Sequence, residues 1–272
     1  MHRRSLALLV CVLSLAAVAP AAASAAPTWA PADSATVRPG VMTYTDGGQC
    51  TANFVFYDAS DIYIGQAAHC SGTGTATETD GCDSGSLPLG TAVEVGGASQ
   101  PGTLVYNSWI TMQSKGETDP DTCAYNDFAL VRLNPADAGK VNPSIPHWGG
   151  PNAVGATTVL RDKVYSYGNS SLRQGIAQLS PKEGYSLGDE GGGWTHTVYT
   201  VTPGIPGNSG SAFLSKTGAA LGTLSTVAIA PVTGSNGVGD LQREFDYARA
   251  NGGFGGLELG LGTEPFAAGN LP

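Results

Sequence analysis

The chain has 272 residues, a formal net charge of −9 at pH 7, and charged side chains at only 13% of its positions. Its acidic balance argues against nucleic acid and anionic membranes as partners, because both attract positively charged surfaces. Threonine, serine, valine and the 39 glycines take the place of the missing charges, which suits many short strands and tight turns.

The first 25 residues have the pattern of a secretory signal peptide. Met1–Arg4 is positively charged, Leu6–Ala19 is apolar, and Ala23-Ser24-Ala25 ends the segment with small residues. An uncleaved membrane anchor is the alternative, but the apolar run is short for a bilayer span. The sequence therefore predicts a secreted, extracellular protein that has no membrane contact once residues 1–25 are removed.

Residues 26–40 are rich in proline and alanine and lack periodicity, which indicates an extended lead-in or a short pro-segment. From Val41 onwards, β-branched and aromatic residues are separated by clusters of Gly, Asn, Pro and Ser, a pattern that predicts short strands. The predicted strands cover residues 49–57, 61–69, 91–95, 102–108, 128–133, 157–164, 176–178, 195–202, 211–214 and 221–230. Strands at this spacing favour an antiparallel sandwich or barrel.

One helix is predicted near the end of the chain. A capping aspartate, apolar residues at helical spacing and a terminating glycine define it: Asp240, Leu241, Phe245, Ala248 and Gly252. Residues 254–272 are glycine-rich and weakly patterned, and we treat them as a tail. The region 143–155 contains proline and glycine with little pattern, so it is the expected link between two halves.

Four cysteines remain after the signal peptide, which contains Cys11. They are Cys50, Cys70, Cys82 and Cys123. An even number in an exported chain indicates two disulfides, and three connectivities are open. A metal site is the alternative, but the spacings contain no C-x-x-C pair, so no metal is predicted.

Three motifs contain the groups that activate a serine nucleophile. They are Ala67-Ala68-His69-Cys70, Asp127-Phe128-Ala129-Leu130-Val131-Arg132-Leu133 and Gly207-Asn208-Ser209-Gly210-Ser211. A weakly acidic hydroxyl needs a neighbouring base, and that base needs an orienting carboxylate. On these motifs, in the order His, Asp, Ser, the chain resembles the chymotrypsin-like serine proteases. Within them it is similar to the bacterial branch that includes glutamyl endopeptidases and HtrA-type proteases.

The resemblance covers most of residues 41–252 and implies an all-β fold. Two antiparallel Greek-key β-barrels would hold the active site between them, with the C-terminal helix added. The first barrel, residues 41–145, would carry His69 and Asp127, and the second, residues 146–253, would carry Ser209. Residues 254–272 would follow as the Gly-rich tail. The implied protein is a monomer that acts on proteins or peptides without a cofactor.

The resemblance also assigns roles within the site. Ser209 would attack the peptide carbonyl, His69 would take its proton, and Asp127 would orient the imidazole. The backbone N–H groups of Gly207 and Ser209 would form the oxyanion hole. The alternatives are a core role for His69 and a turn role for Asp127.

Other polar residues near these motifs have competing explanations. His147 lies in a proline-rich stretch, and His196 lies in a predicted strand where a structural or pocket role is expected. The acids Glu117, Asp119 and Asp121 could hold calcium, but their spacing matches no calcium-binding loop, so a solvated acidic loop is expected.

The specificity pocket is assigned by position within the family. Pro203, six residues before the nucleophile, would form its base and offers no carboxylate, which disfavours Arg or Lys selectivity. Ser225 and Val227 belong to a strand, 222–227, that would pair with substrate and wall the pocket. Val227 stands where a glycine would open it, which favours small or medium apolar side chains. The alternative is that this is only a core strand.

Two further expectations follow from the resemblance. A Cys50–Cys70 disulfide is implied, which leaves Cys82 to pair with Cys123. Asn208 stands where trypsin-like enzymes have an aspartate that pairs with a new N-terminus, so activation by such an ion pair is not expected. The alternative functions are a catalytically silent binding protein and an esterase, although an α/β-hydrolase would reverse the order of Ser209 and His69.

Overall fold

The computed structural model describes residues 25–46, 48–75, 79–155, 157–228, 232–269 and 271. The predicted signal peptide, residues 1–25, lies outside these ranges except for its last residue. Within these ranges, no helix has both the length and the apolar character needed to cross a bilayer.

Eight antiparallel strands form the first sheet, a half-barrel. Along the chain they are β1 Met42–Thr45, β2 Gly48–Thr51, β3 Val55–Tyr57, β4 Ile62–Gln66, β5 Ala92–Val95, β6 Gly102–Asn107, β7 Ala129–Arg132 and β14 Glu258–Leu259. Their order across the sheet is β14-β3-β4-β7-β6-β5-β1-β2. A strand from the end of the chain therefore forms one edge of a sheet built mainly from the first half.

Six antiparallel strands form the second sheet, which closes into a barrel. They are β8 Lys163–Tyr167, β9 Pro181–Glu190, β10 Thr195–Thr200, β11 Ala212–Ser215, β12 Ala220–Ala228 and β13 Ser235–Asp240. Their order around the barrel is β10-β13-β12-β11-β8-β9. The helices are α1 Ser108–Lys115, α2 Pro120–Tyr125 and α3 Leu241–Asn251. The predicted all-β class with a C-terminal helix is confirmed.

Helix α3 connects the two sheets through an aromatic core. It begins at Leu241 because the Asp240 carboxylate accepts the backbone N–H of Arg243 at 2.9 Å, as a capping residue should. Its buried face contributes Phe245, whose ring centroid lies 5.5 Å from that of Phe56 on β3. The helix that follows the second barrel is thus packed against the first sheet.

The termini of the described chain are also packed against the sheets. Trp29, in the predicted lead-in, stacks edge-on against Tyr57 with ring centroids 5.9 Å apart. In the predicted tail, the ring of Phe266 packs 5.3 Å from that of Tyr165 on β8. The tail therefore joins the first sheet through β14 and contacts the second barrel through Phe266.

Several predicted elements are wrong in detail. Residues 157–162 precede β8 and include a turn at Arg161 with φ of 74°, and Leu160 in that stretch is 63% exposed. Residues 177–179 form a short 3-10 helix, and β9 follows it. The expected acidic loop contains α2, which Asp119 caps by accepting the N–H of Thr122 at 2.8 Å. The predicted strand 61–69 ends at Gln66, and a 3-10 turn follows.

Both disulfides are formed as the resemblance implied. Cys50 on β2 is bonded to Cys70, and Cys82 is bonded to Cys123 on α2, with Cα–Cα distances of 6.1 and 5.2 Å. The first bridge fastens the turn after β4 to the neighbouring strand β2. The second closes the long loop between the histidine and aspartate motifs.

Candidate active site

The pairing of β4 with β7 brings His69 and Asp127 together. Gln66, at the end of β4, is opposite Ala129, at the start of β7. The 3-10 turn Ala68–Ser71 after β4 and the loop before β7 therefore meet at the same edge of the sheet. The Asp127 carboxylate accepts the His69 backbone N–H at 2.9 Å and contacts His69 Nδ1 at 2.7 Å.

This contact fixes the chemistry of the imidazole. With Nδ1 directed at the carboxylate, Nε2 is the nitrogen that remains to accept a proton. Burial opposes protonation of the ring, but the Asp127 charge and hydrogen bond outweigh it and raise the pKa of His69. Burial alone would raise the pKa of Asp127, whereas His69 and Ser225 lower it, so the carboxylate stays ionised.

Ser225 is a third member of this contact. The register of β12 against β13 shifts between Leu224 and Thr226, which leaves Ser225 at a β-bulge. Its hydroxyl donates to Asp127 Oδ2 at 2.5 Å. The sequence placed Ser225 in the substrate pocket, but its side chain binds the carboxylate. A residue of the second barrel thus orients an acid of the first sheet.

The Ser209 loop, between β10 and β11, lies against the strands that lead to His69. The Ser209 carbonyl accepts the Thr51 N–H at 2.8 Å, and Gly210 N–H donates to the Leu224 carbonyl at 2.7 Å. Gly210 has φ of +85°, and a Cβ there would lie 2.5 Å from the Thr51 carbonyl oxygen, so only glycine fits. Within the described chain the Ser209 hydroxyl has no hydrogen-bond partner, so no hydrogen bond joins it to His69.

Hydrogen bonds to three consecutive carbonyls, those of Pro206, Gly207 and Asn208, set the orientation of the Gly207 loop. Because a peptide is planar and trans, its N–H points opposite to its C=O. Ser170 Oγ donates to the Pro206 carbonyl at 2.6 Å, which directs the Gly207 N–H to the other side. Ser211 Oγ donates to the Asn208 carbonyl at 2.5 Å, which does the same for the Ser209 N–H.

The middle peptide of this loop has two anchors on the first sheet. Gln49 Nε2 and Thr51 Oγ1 donate to the Gly207 carbonyl at 2.9 and 2.7 Å. On the opposite side, the Asn208 N–H donates to the Ile205 carbonyl at 2.8 Å. Neutral hydrogen bonds therefore hold the loop where trypsin-like enzymes use an ion pair. No role was predicted for Gln49, Thr51 and Ser170, because nothing local in the sequence marks residues so distant in the chain as partners of this loop.

Pro203 and Val227, which the resemblance assigns to a substrate pocket, lie in segments joined by one buried amide. Asn236 on β13 accepts the Gly204 N–H at 2.9 Å through Oδ1 and donates to the Thr226 carbonyl at 3.1 Å through Nδ2. It therefore ties the segment that contains Pro203 to the strand that contains Val227. Val227 itself is 56% exposed, at the outer end of this arrangement.

Two other titratable residues lie behind the site. Glu244 on α3 is fully buried; its carboxyl accepts the Asp127 N–H at 3.3 Å and the Thr223 hydroxyl at 2.9 Å. Burial and the nearby Asp127 charge raise the pKa of Glu244 well above its ordinary value. His196 on β10, also buried, contacts Asp189 at 2.7 Å and Asp240 at 2.9 Å.

The described residues bring two sets of potential metal ligands together, Cys50, His69 and Cys70, and Asp80, Cys82 and Cys123. All four cysteines are in disulfides. A disulfide has no thiolate to offer a metal, so neither set has the ligand chemistry of a zinc site.

The sequence matches no protein-family model and no curated protein. Solved structures do resemble it. Thermobifida fusca protease A has 16% identity and a TM-score of 0.52 over 82% of this chain and 97% of its own. Nocardiopsis protease has 17% identity and a TM-score of 0.50 over 82% and 98%. A glutamic-acid-specific serine protease, described as using a histidine triad in substrate binding, has 17% identity and a TM-score of 0.50 over 77% and 96%. The chain therefore has the fold of chymotrypsin-like bacterial serine proteases.

Proposed function

We propose that this protein is a secreted serine endopeptidase in which Ser209, His69 and Asp127 form the catalytic triad. The observation that carries the proposal is the His69–Asp127 contact at 2.7 Å, with the Ser209 loop hydrogen-bonded to the strand beside it. Substrate would lie in a cleft between residues 41–145 and 146–253. Export through the signal peptide agrees with the two disulfides.

The reaction is acyl transfer in two halves. His69 Nε2 takes the proton of the Ser209 hydroxyl as Oγ bonds to the peptide carbonyl carbon, which moves an electron pair onto the carbonyl oxygen. Collapse of this intermediate breaks the C–N bond, and His69 gives its proton to the departing amine. Water then attacks the acyl-enzyme carbonyl carbon while His69 takes its proton, and His69 returns that proton to Ser209 Oγ as the C–O bond breaks. This step frees Ser209 and the product acid.

The surrounding groups stabilise the charges that develop. The N–H groups of Gly207 and Ser209 donate to the oxyanion, and each such donor is typically worth about 10²–10³ in rate. The Asp127 carboxylate stabilises the imidazolium, and the Ser225 hydroxyl holds that carboxylate in place. The raised pKa of His69 predicts that kcat/KM increases with pH as the His69 imidazole of the substrate-free enzyme loses its proton.

A serine-reactive fluorophosphonate tests the proposal on the mature protein. We expect labelling of the wild type, no labelling of Ser209→Ala, and normal labelling of Ser114→Ala, which changes a serine on α1. Casein hydrolysis should follow the same pattern. A catalytically silent binding protein would give an unlabelled wild type, and labelling of Ser209→Ala at the wild-type level would place the nucleophile elsewhere. N-terminal sequencing of protein from the culture medium tests cleavage after Ala25.

A further inference from the structure

The peptide bond between Asn126 and Asp127 is held at both ends by buried side chains. Ser108 Oγ, at the start of α1, donates to the Asn126 carbonyl at 2.7 Å. Glu244 Oε1, on α3, accepts the Asp127 N–H at 3.3 Å. Because a trans peptide directs its C=O and its N–H to opposite sides, these two contacts fix the plane of the peptide. That plane determines where the Asp127 side chain leaves the backbone.

The second oxygen of Glu244 is held by residues from both sheets. Oε2 accepts the hydroxyl of Thr223, on β12 of the second barrel, at 2.9 Å. Asn53 Nδ2, between β2 and β3 of the first sheet, donates to the same hydroxyl oxygen at 3.2 Å. Glu244, Thr223 and Asn53 are all fully buried. The acid that contacts the Asp127 backbone is therefore itself fixed in position.

Glu244 has no cationic partner in the described part of the chain, where it takes part in none of the ion pairs. The ionisable groups that face it are acids: Asp127, Asp240 at the end of β13, and Tyr106 on β6. Burial and the Asp127 charge raise the pKa of Glu244 well above its ordinary value. A buried carboxyl without a counter-ion is normally neutral. The Thr223 hydroxyl can donate or accept, so its contact with Glu244 is compatible with a protonated acid.

We propose that Glu244, as an uncharged acid, is a positioning residue that holds Asp127 where it orients His69. The inference rests on the proposed protease function. Asp127 orients the imidazole through a contact of 2.7 Å to Nδ1, and a small shift of its backbone would lengthen that contact. An uncharged acid supplies the acceptor for the Asp127 N–H without placing a second negative charge beside the triad. Glu244 acts through Asp127 and takes no part in proton transfer at Ser209.

Glu244→Leu tests the positioning role, because it removes both acceptors with little change in volume. We expect kcat to fall about tenfold to a hundredfold with KM nearly unchanged, since loss of a triad's orienting acid costs about 10⁴ in kcat and a loosened acid should lose part of that. Thr223→Val, which removes the hydroxyl that holds Oε2, should lower kcat severalfold and decides the question if Glu244→Leu does not fold. A chromogenic peptide cleaved by the wild type gives kcat and KM, and fluorophosphonate titration gives the concentration of active sites.

Glu244→Gln tests the charge state. The amide keeps the length of the side chain and an acceptor for the Asp127 N–H, so kcat should stay within about threefold of the wild-type value. The pH at which kcat/KM rises should also be unchanged, because an uncharged group replaces an uncharged group. If Glu244 were an anion, Glu244→Gln would remove a negative charge beside the triad and lower the pKa of His69 by about one unit.

Asp137 provides a matched control. Its carboxylate is also fully buried and accepts the backbone N–H groups of Ser99 and Gln100 at 2.9 and 3.2 Å, and neither residue belongs to the candidate site. Asp137→Leu should lower stability in urea unfolding and leave kcat per active site near the wild-type value. A Glu244 with a purely structural role would give the same result in Glu244→Leu.

The outcomes separate this inference from the protease function. A labelled, active wild type overturns the positioning role alone if Glu244→Leu, or Thr223→Val in its place, keeps kcat per active site within about twofold. A shift of about one pH unit in Glu244→Gln overturns the uncharged state. A wild type that is neither labelled nor active on any peptide overturns the protease function, and the positioning role with it.

Discussion

Replacing Gln49 tests whether neutral hydrogen bonds from the first sheet hold the Gly207 loop, proposed to form the oxyanion hole, in the conformation needed for activity. The Ser171 N–H donates to Gln49 Oε1 at 3.0 Å, which fixes the orientation of the amide. The two hydrogens of Gln49 Nε2 are then shared among the carbonyls of Gly207, Cys50 and Asn169, whose oxygens lie 2.7 to 3.0 Å from the nitrogen. Gln49→Met keeps the length of the side chain and removes these bonds.

The hydrogen bonds that remain in Gln49→Met determine how far kcat should fall. Thr51 still donates to the Gly207 carbonyl, so the loop keeps one of its two anchors there. One oxyanion donor is worth about 10²–10³ in kcat, and a loosened donor should lose part of that, about tenfold to thirtyfold. The free energy of unfolding should fall by about 1–3 kcal/mol, because buried carbonyls lose their partner.

The chain offers a matched control for this variant. Gln113 Nε2, on α1, also donates to two backbone carbonyls, of Gly81 and Ser84, at 2.9 and 2.7 Å, and neither carbonyl belongs to the Gly207 loop. Gln113→Met should cost similar stability and leave kcat near the wild-type value. We would measure kcat and KM with a chromogenic peptide, and stability by urea unfolding. A kcat of Gln49→Met within about twofold of the wild-type value, or an equal loss of kcat in Gln113→Met, would show that Gln49 does not hold the loop for catalysis.

Three further predictions concern titratable groups. Ser225→Ala should lower kcat/KM by about tenfold through loss of one charge-assisted hydrogen bond to Asp127, and a change in KM alone would contradict this. The pKa of His196 is raised because its two carboxylates outweigh burial; its contribution to stability is therefore present below pH of about 6.5 and lost as pH rises through the folded-state pKa. His196→Gln should flatten that part of the stability profile in urea unfolding at a series of pH values. Burial raises the pKa of Glu244, so Glu244→Gln should stabilise the protein more at pH 8 than at pH 4, and equal effects at both pH values would refute this.

The parts of the fold predicted from sequence are those specified by neighbouring residues. Helix α3 was identified with its correct first residue, because Asp240 caps it and apolar residues follow at helical spacing. Helix α1 was missed although its signals are local: Asn107 accepts the N–H of Trp109 at 2.9 Å, and Gly116 ends the helix in the left-handed conformation. The predicted strand 102–108 stops where the helix begins, and no element was predicted for residues 109–115.

Strands β9 and β13 were missed for a different reason. Their sequences, Pro181–Glu190 and Ser235–Asp240, are rich in glycine and polar residues, which usually indicates turns. In the closed barrel each is hydrogen-bonded to strands on both sides. Tertiary pairing overrides the local preference here, so propensity could not reveal these strands.

The residues of the candidate site also fall into two groups, those marked by neighbouring sequence and those whose contacts depend on tertiary structure. His69, Asp127 and Ser209 stand in recognisable motifs, so the sequence alone proposes them as site residues. Ser225 binds Asp127 only because a bulge in β12 turns it, and a bulge depends on the register of two strands.

The position of β14 has a consequence for the order in which the protein can fold. Glu258 and Leu259 pair with Tyr57 and Phe56, so one edge of the first sheet is completed by residues that are synthesised after the whole second barrel. The first half of a nascent chain cannot therefore reach its final structure while the second half is still being made. Contacts this distant in sequence make folding slow, and we expect the two halves to acquire their native structure together.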